Sequence, residues 1–282
     1  MAELAVARTV AQLREQVSRW HGEGLRVGLV PTMGALHEGH LSLIDIALSH
    51  ADRAVVSLFV NPAQFAANED LDTYPRDEDG DRAKLAARGA HLLYAPDVSE
   101  IYPAGFATSV TVAGPAEAGL EDRARPHFFA GVATVVSKLL IQAQCDCAVF
   151  GEKDYQQLLV IRRLARDLDI PCTILAGATE RDGDGLALSS RNAYLGEEER
   201  AIAPHFHATL SSVADMIREG VAIGAACETG MRVLAQGGFE VDYLEVRDAE
   251  TLQPVGAKPD GPLRVLGAAF LGKTRLIDNV AV

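Results

Sequence analysis

"LRVGLVPTMGALHEGH", residues 25–40, decides the reading of this chain. The apolar run Leu25–Val30 reads as a buried strand that stops at Pro31, and a helix is expected from about Glu38 to His50. His37 and His40 stand three apart and so share the first helical turn. That turn carries backbone N–H groups without intrahelical partners, together with the positive end of the helix dipole. Two imidazoles added there make a compact phosphate-holding site. Gly39 removes a side chain where a planar base or a ribose could approach the backbone.

Outward from this unit, short apolar strands alternate with amphipathic helices. "TVAQLREQVSRWHGEG" starts on a Thr9 cap, places Leu13, Val17 and Trp20 on one stripe, and stops near Gly22. Strands are expected in "RAVVSLFV", "HLLYAP", "CAVF" and "PCTILAG". Helices are expected in "DRAKLAARGA", "AGVATVVSKLLIQAQ" and "YQQLLVIRRLARDLD". Continuous apolar strands separated by helices imply a parallel α/β sheet covered on both faces, a doubly wound nucleotide-binding architecture with ligands at the carboxyl ends of its strands. The pattern changes near residue 180. Helices around 197–219 and 222–236, then strands in "FEVDYLEVRDA", "PLRVLGAAFL" and "TRLIDNVAV", describe a second, smaller α+β domain. The expected division is therefore 1–179 and 180–282.

The 282 residues are 48% hydrophobic and 23% charged, an ordinary globular balance, with a formal net charge of −13. Such a field repels nucleic acid and anionic membranes, so phosphate must be held by a local site. No stretch reads as a signal peptide or a membrane span. The four cysteines lack the spacing of a disulfide framework or a zinc site, and reduced thiols point to the cytoplasm.

Two motifs are decoys. "GAAFLGKT", residues 267–274, matches the phosphate-loop pattern letter for letter, but the eight residues after it alternate like a strand, so Gly272-Lys273 reads as a hairpin turn. The acidic stretch "NEDLDTYPRDEDGD", residues 68–81, fails as a calcium loop, because aligning Gly80 puts Pro75 and Ala86 at ligand positions. It reads as a solvated loop and helix start, with a lesser role toward a nucleotide's magnesium. His205 and His207 lie two apart in a helix and read as structural or surface residues.

Two other segments belong with residues 31–40. "VFGEKDYQQL" ends a strand on Gly151 and continues into Glu152, Lys153 and Asp154, offering an ammonium for phosphate and a carboxylate for ribose hydroxyls. "LSSRN" supplies Ser189, Ser190 and the guanidinium of Arg191 for oxyanions.

Together, "PTMGALHEGH", "FVNPAQF", "YPR", "ARPHFFAG", "GEKDYQQL", "DGLALSSRN" and "GKTRLIDN" resemble the pantoate–β-alanine ligase family, in order and over nearly the whole chain. That family is part of a nucleotidyltransferase superfamily with His-x-Gly-His signatures. The resemblance implies a Rossmann-like first domain, a C-terminal lid and a homodimer. It also implies ATP-dependent formation of pantoyl-adenylate, with magnesium, followed by capture of the acyl group by β-alanine. By the same resemblance Met33, Gly34, Ala35, Leu36, His37, Glu38, Gly39 and His40 hold ATP, with His40 the catalytic histidine. Gly151, Glu152, Lys153 and Asp154 add ATP contacts, as do Leu188, Ser189, Ser190 and Arg191. Gln64 and Gln157 bind pantoate. His37, His40, Lys153 and Arg191 are expected to bear on the phosphates as an electrostatic clamp. The chain departs from the family pattern at Phe128, where a histidine is expected, at Glu180 and at Ala63. A dinucleotide-forming nucleotidyltransferase would lack the paired glutamines, and a non-catalytic sensor would bind ATP without pyrophosphate exchange.

Overall fold

A computed structural model describes residues 4–65, 71, 74–256 and 259–282. It divides into two compact units, residues 1–152 with 160–178, and residues 153–159 with 179–282.

The first unit is built on a parallel sheet. Its strands are β1 (Ala5–Ala7), β2 (Val27–Thr32), β3 (Arg53–Leu58), β4 (Leu92–Tyr94), β5 (Cys147–Gly151) and β6 (Thr173–Gly177), in the order β1-β4-β3-β2-β5-β6. All pairings are parallel, as the unbroken apolar runs require, because a strand covered on both faces has no polar side to show. Chain order departs from spatial order at β2: the chain runs outward through β3 to β4, then returns to lay β5 on the other side of β2. The carboxyl ends of β2 and β5 thus flank the point where doubly wound sheets hold their ligands.

Helices in this part of the chain are α1 (Val10–Gly22), α2 (Glu38–His50), α3 (Glu78–Arg88), α4 (Val98–Ile101), α5 (Glu121–Ala124) and α6 (Phe128–Ala143). Helix α7 (Tyr155–Asp167) begins in the segment that groups with the second unit. Thr9 caps α1 as expected: its side chain accepts from the Gln12 backbone N–H, and the Gln12 amide oxygen accepts from the backbone N–H of Thr9. The stripe Leu13, Val17 and Trp20 is buried. The core lies around Val30, Val56, Leu93 and Val149 of the sheet and Ile44, Ala47 and Leu85 of the helices. Burying such side chains contributes about 1.5–3 kcal/mol each.

In the second unit α8 (Glu197–Ile202), α9 (Pro204–Arg218) and α10 (Ile223–Gln236) accompany an antiparallel sheet of β7 (Glu240–Asp248), β8 (Leu263–Leu271) and β9 (Thr274–Ala281). The expected helix over 197–219 is broken at Ala203–Pro204, because proline cannot supply the next helical N–H. Phe206, Leu210, Val213 and Leu234 bury one face with Leu244, Val265 and Ala269. Leu271 pairs with Thr274, so Gly272 and Lys273 form a two-residue hairpin loop, with Gly272 at φ 58°. That geometry disposes of the phosphate-loop match. Among the described residues no helix is long and apolar enough to cross a membrane.

Candidate active site

Strand β2 delivers the chain into Met33–His37, and α2 begins at Glu38 with His37 as its N-cap. Thr32 is anchored by donating its hydroxyl to Ser57 O of β3 at 2.8 Å, and the Gly34 N–H turns back to Thr32 Oγ1 at 3.3 Å. Gly34 at φ 87° and Ala35 at φ 53° are both left-handed, which reverses the chain between strand and helix. The rings of His37 and His40 lie 4.1 Å apart between centroids, inclined by 39°. The His37 backbone N–H donates to His40 Nδ1 at 3.4 Å. With Nδ1 accepting, a neutral His40 carries its proton on Nε2. Both histidines are half-buried, Leu36 is buried and Glu38 is exposed. Imidazole pair, helix start and β2 terminus therefore coincide, as the residue spacing implied.

Gln64 sits in a 3-10 turn, Pro62–Gln64, following β3, and is buried. Its Nε2 donates to Met33 Sδ at 2.9 Å, which joins the "NPAQF" segment to the loop after β2. Asn61 orients it. The Asn61 amide donates to Gln64 Oε1 at 3.1 Å and Gly131 O at 3.2 Å, while its oxygen accepts from the Ala63 N–H at 3.2 Å and the Tyr102 hydroxyl at 2.8 Å. Burial pushes the Tyr102 phenol up to about 12, so that hydroxyl keeps its proton at neutral pH. Gly131, on α6, permits the turn to lie this close: a Cβ there would stand 2.3 Å from Ala63 O. Arg125 donates to Gln64 O at 3.0 Å, and its guanidinium lies 3.9 Å from the centroid of Phe128. Phe128, at the position where the family pattern has histidine, is thus a buried platform for Arg125.

Asp81 is a functional candidate that the sequence reading missed. It is 1% exposed, whereas the acidic stretch containing it reads as solvated. Its two oxygens accept from the backbone N–H groups of Ala35 at 2.8 Å and Leu36 at 2.9 Å. Residues 68–70 and 72–73 of that stretch lie outside the described residues. Among the described residues no group of three His, Cys, Asp or Glu side chains could hold a metal ion.

Gly151 closes β5 and Glu152 opens a 3-10 turn, Glu152–Asp154. The remaining expected residues belong to the second unit, within which they can be placed. Lys153 O accepts from Asn279 Nδ2 at 3.0 Å, and Asn279 Oδ1 accepts from Arg264 at 2.7 Å. Arg264 lies 4.1 Å over the ring of Tyr155, whose hydroxyl donates to Ala249 O at 2.8 Å. Asp154 is exposed and Gln157 half-buried.

The segment 180–192 forms a tight β-like excursion. Arg181 bridges Ala187, and the Leu188 N–H donates to Glu180 O at 2.9 Å, so Glu180 engages here through its backbone. Arg181 donates two hydrogen bonds, at 2.6 and 2.9 Å, to Asp278 of β9, which is buried. Burial alone would raise the Asp278 carboxyl. His207, with Nδ1 3.4 Å away, and the Arg181 guanidinium outweigh burial and hold it below the ordinary carboxylate range. His207 is thus structural, as expected, and His205 is exposed. Ser189 caps the 3-10 turn Ser190–Tyr194 by accepting from the Arg191 N–H at 3.3 Å. Lys153 and Ser189, from two separate segments, line one pocket of about 20 Å³, roughly the size of one water, together with Asn192, His207 and Asp278.

The family model for pantoate-beta-alanine ligase matches residues 5–281. The pantothenate synthetase of Paramagnetospirillum magneticum is 58% identical over 278 residues, covering 98% of this chain and 97% of the relative. That of Rhodospirillum rubrum is 55% identical over 283 residues, covering all of both. Among solved structures, the pantothenate synthetase of Thermus thermophilus superposes with a TM-score of 0.92 at 45% identity, over 98% of this chain and 99% of its own. The pantoate-beta-alanine ligase of Francisella tularensis, solved with β-γ ATP and β-alanine, does so with 0.82 at 33%, over 99% and 97%. A parallel sheet with its switch point at β2 and β5, a histidine pair at the start of α2 and a glutamine joined to the loop before it therefore occur in a chain that belongs to the pantoate–β-alanine ligase family.

Proposed function

We propose that this enzyme condenses pantoate with β-alanine at the expense of ATP, through a pantoyl-adenylate, releasing pyrophosphate and AMP. The observation that carries the reading is the start of α2, where first-turn N–H groups and two adjoining imidazoles coincide at the end of the strand beside the switch point. The pantoate carboxylate attacks the α-phosphorus, its new P–O bond replacing the bond to pyrophosphate. The β-alanine amine then attacks the acyl carbon, AMP leaves with the electrons of the C–O bond, and the amine's extra proton passes to solvent. Neither step needs a covalent enzyme intermediate, so the protein's task is positioning and charge stabilisation.

In this reading Met33 to His40, Gly151 to Asp154 and Leu188 to Arg191 hold ATP. His37, His40, Lys153 and Arg191 bear on its phosphates. A neutral His40 serves as a donor from Nε2, which the bond to Nδ1 leaves protonated. Gln64 and Gln157 orient pantoate. Gln64 is suited to this because the Asn61 amide holds its oxygen and fixes which end is donor. In this reading magnesium arrives as the triphosphate's own counter-ion. A division near residue 179 into a nucleotide domain and a lid, a homodimer and a cytoplasmic location complete the proposal.

The test is ATP–pyrophosphate exchange with purified enzyme. Exchange that needs pantoate, followed by AMP release that needs β-alanine, is the expected result. Exchange supported by other hydroxy acids but not by pantoate would contradict it.

A further inference from the structure

We propose that Asp81 is a positioning residue for the nucleotide, with Lys84 as its support; the proposal rests on the reading that residues 33–40 bind ATP. Asp81 reaches the loop from α3, 45 and 46 residues away in sequence, and one oxygen is committed to each of two consecutive backbone N–H groups. Lys84, one turn further along α3, donates to Leu36 O at 2.8 Å and lies 3.6 Å from the Asp81 carboxylate. A single helix thus holds the Ala35 and Leu36 N–H groups and the Leu36 carbonyl. Its register is held in turn, because Arg88 of α3 binds Asp45 and Glu38 of α2.

What is clamped is the least favoured backbone in the site. Gly34 and Ala35 are successive residues at positive φ, and alanine is rarely found there. A Cβ at Gly34 would stand 3.2 Å from Asp81 Oδ2, so the carboxylate is also packed against the turn. Without the two acceptors the loop would sample ordinary right-handed and extended conformers, and His37, one residue beyond the clamp, would move with it. Ligand then meets a protein whose competent conformer is only partly populated, and the apparent affinity falls by that fraction. The acidic character of the group is intrinsic to the device: a carboxylate accepts strongly from backbone N–H groups, and it stands in the first turns of α3 where the helix dipole favours it. The excess negative charge beside an anion site is offset by Lys84.

The experiment is Asp81→Asn, which presents an NH₂ donor to one of the two backbone N–H groups while keeping the shape. Titration calorimetry with a non-hydrolysable ATP analogue should show affinity lowered about tenfold, close to 1.4 kcal/mol. KM for ATP in the exchange assay should rise in step, with KM for pantoate unchanged. A role confined to stability would lower the melting temperature and the active fraction while leaving the analogue's Kd per folded molecule as in the wild type. Ala35→Gly supplies the rescue, because glycine takes positive φ without penalty, so Asp81→Asn should cost less affinity in that background. If Asp81→Asn does not fold, Lys84→Met removes only the Leu36 contact and should weaken the analogue about threefold, or 0.6 kcal/mol. Wild-type analogue affinity in the folded variants overturns the clamp. Absent pantoate-dependent exchange in the wild type overturns the catalytic reading instead, and the two failures are told apart because calorimetry needs no turnover.

Discussion

The loop of residues 33–37 and the excursion of residues 180–192 carry the same kind of candidate group, yet they are held in opposite ways. The first is tied through its backbone: Thr32 fixes its entry, Asp81 takes two of its N–H groups, and a helix begins as soon as it ends. The second is held through side chains: Arg181 on Asp278 and Arg200 of α8 on Asp182 and Asp184 grip its root, Leu186 is buried in the core, and Ser189 accepts from the Arg191 N–H. Backbone tethers fix atoms to a fraction of an ångström, as an attack on phosphorus demands. Side-chain anchors fix where a segment starts and constrain its backbone less closely.

The largest expected effect separates the two modes. Asp278→Ala leaves the Arg181 guanidinium without its buried carboxylate and should cost about 3–5 kcal/mol, read as a lower urea midpoint. Because the Asp278 carboxyl is held below the ordinary range, it stabilises the protein above the unfolded value of about 3.9. That contribution is lost as pH falls through the lower, folded value. Urea midpoints measured against pH should therefore fall off steeply on the acid side in the wild type. In Asp278→Ala that part of the slope should be absent. An unchanged slope would place the anchor elsewhere.

Next in size is Gly131→Ala. The added Cβ would meet Ala63 O at 2.3 Å, so α6 and the 3-10 turn must part, costing about 1–3 kcal/mol. The loss should carry Gln64 with it and raise KM for pantoate more than KM for ATP. Equal changes in both would break the separation between the two subsites.

Smaller again, Tyr102→Phe removes one donor to Asn61 Oδ1 and should cost about 1 kcal/mol, because the Ala63 N–H remains. Thermal melting checks it. Its effect on KM for pantoate should be well below that of Gly131→Ala.

How much of this was legible beforehand follows from the range of the forces involved. The β2–α2 unit, the Thr9 cap and the Gly272-Lys273 hairpin are local: the apolar run, the capping residues and the turn glycine stand side by side in the chain, so their signals survive without coordinates. His37 and His40 were legible for the same reason. Strand β1 was not, because three residues are too few for a period to show. Asp81 was hidden by its company. Among so many carboxylates it reads as one more solvated charge, and the N–H groups that bury it lie over forty positions away. Asn61 and Arg125 were similarly invisible, since the Asn61 partners Tyr102 and Gly131 and the Arg125 partner Gln64 lie some forty to seventy positions away. The departure at Phe128 gains its meaning only from the guanidinium resting on it.

The central claim, that the first turn of α2 is where the α-phosphate is activated, is tested most directly by pantoate-dependent ATP–pyrophosphate exchange in His40→Ala. The ring is half-buried at a helix start, so the variant should melt close to the wild type while exchange drops by about 10²–10⁴. A folded His40→Ala protein exchanging at the wild-type rate would show that the histidine pair is scaffold and that the chemistry happens without it.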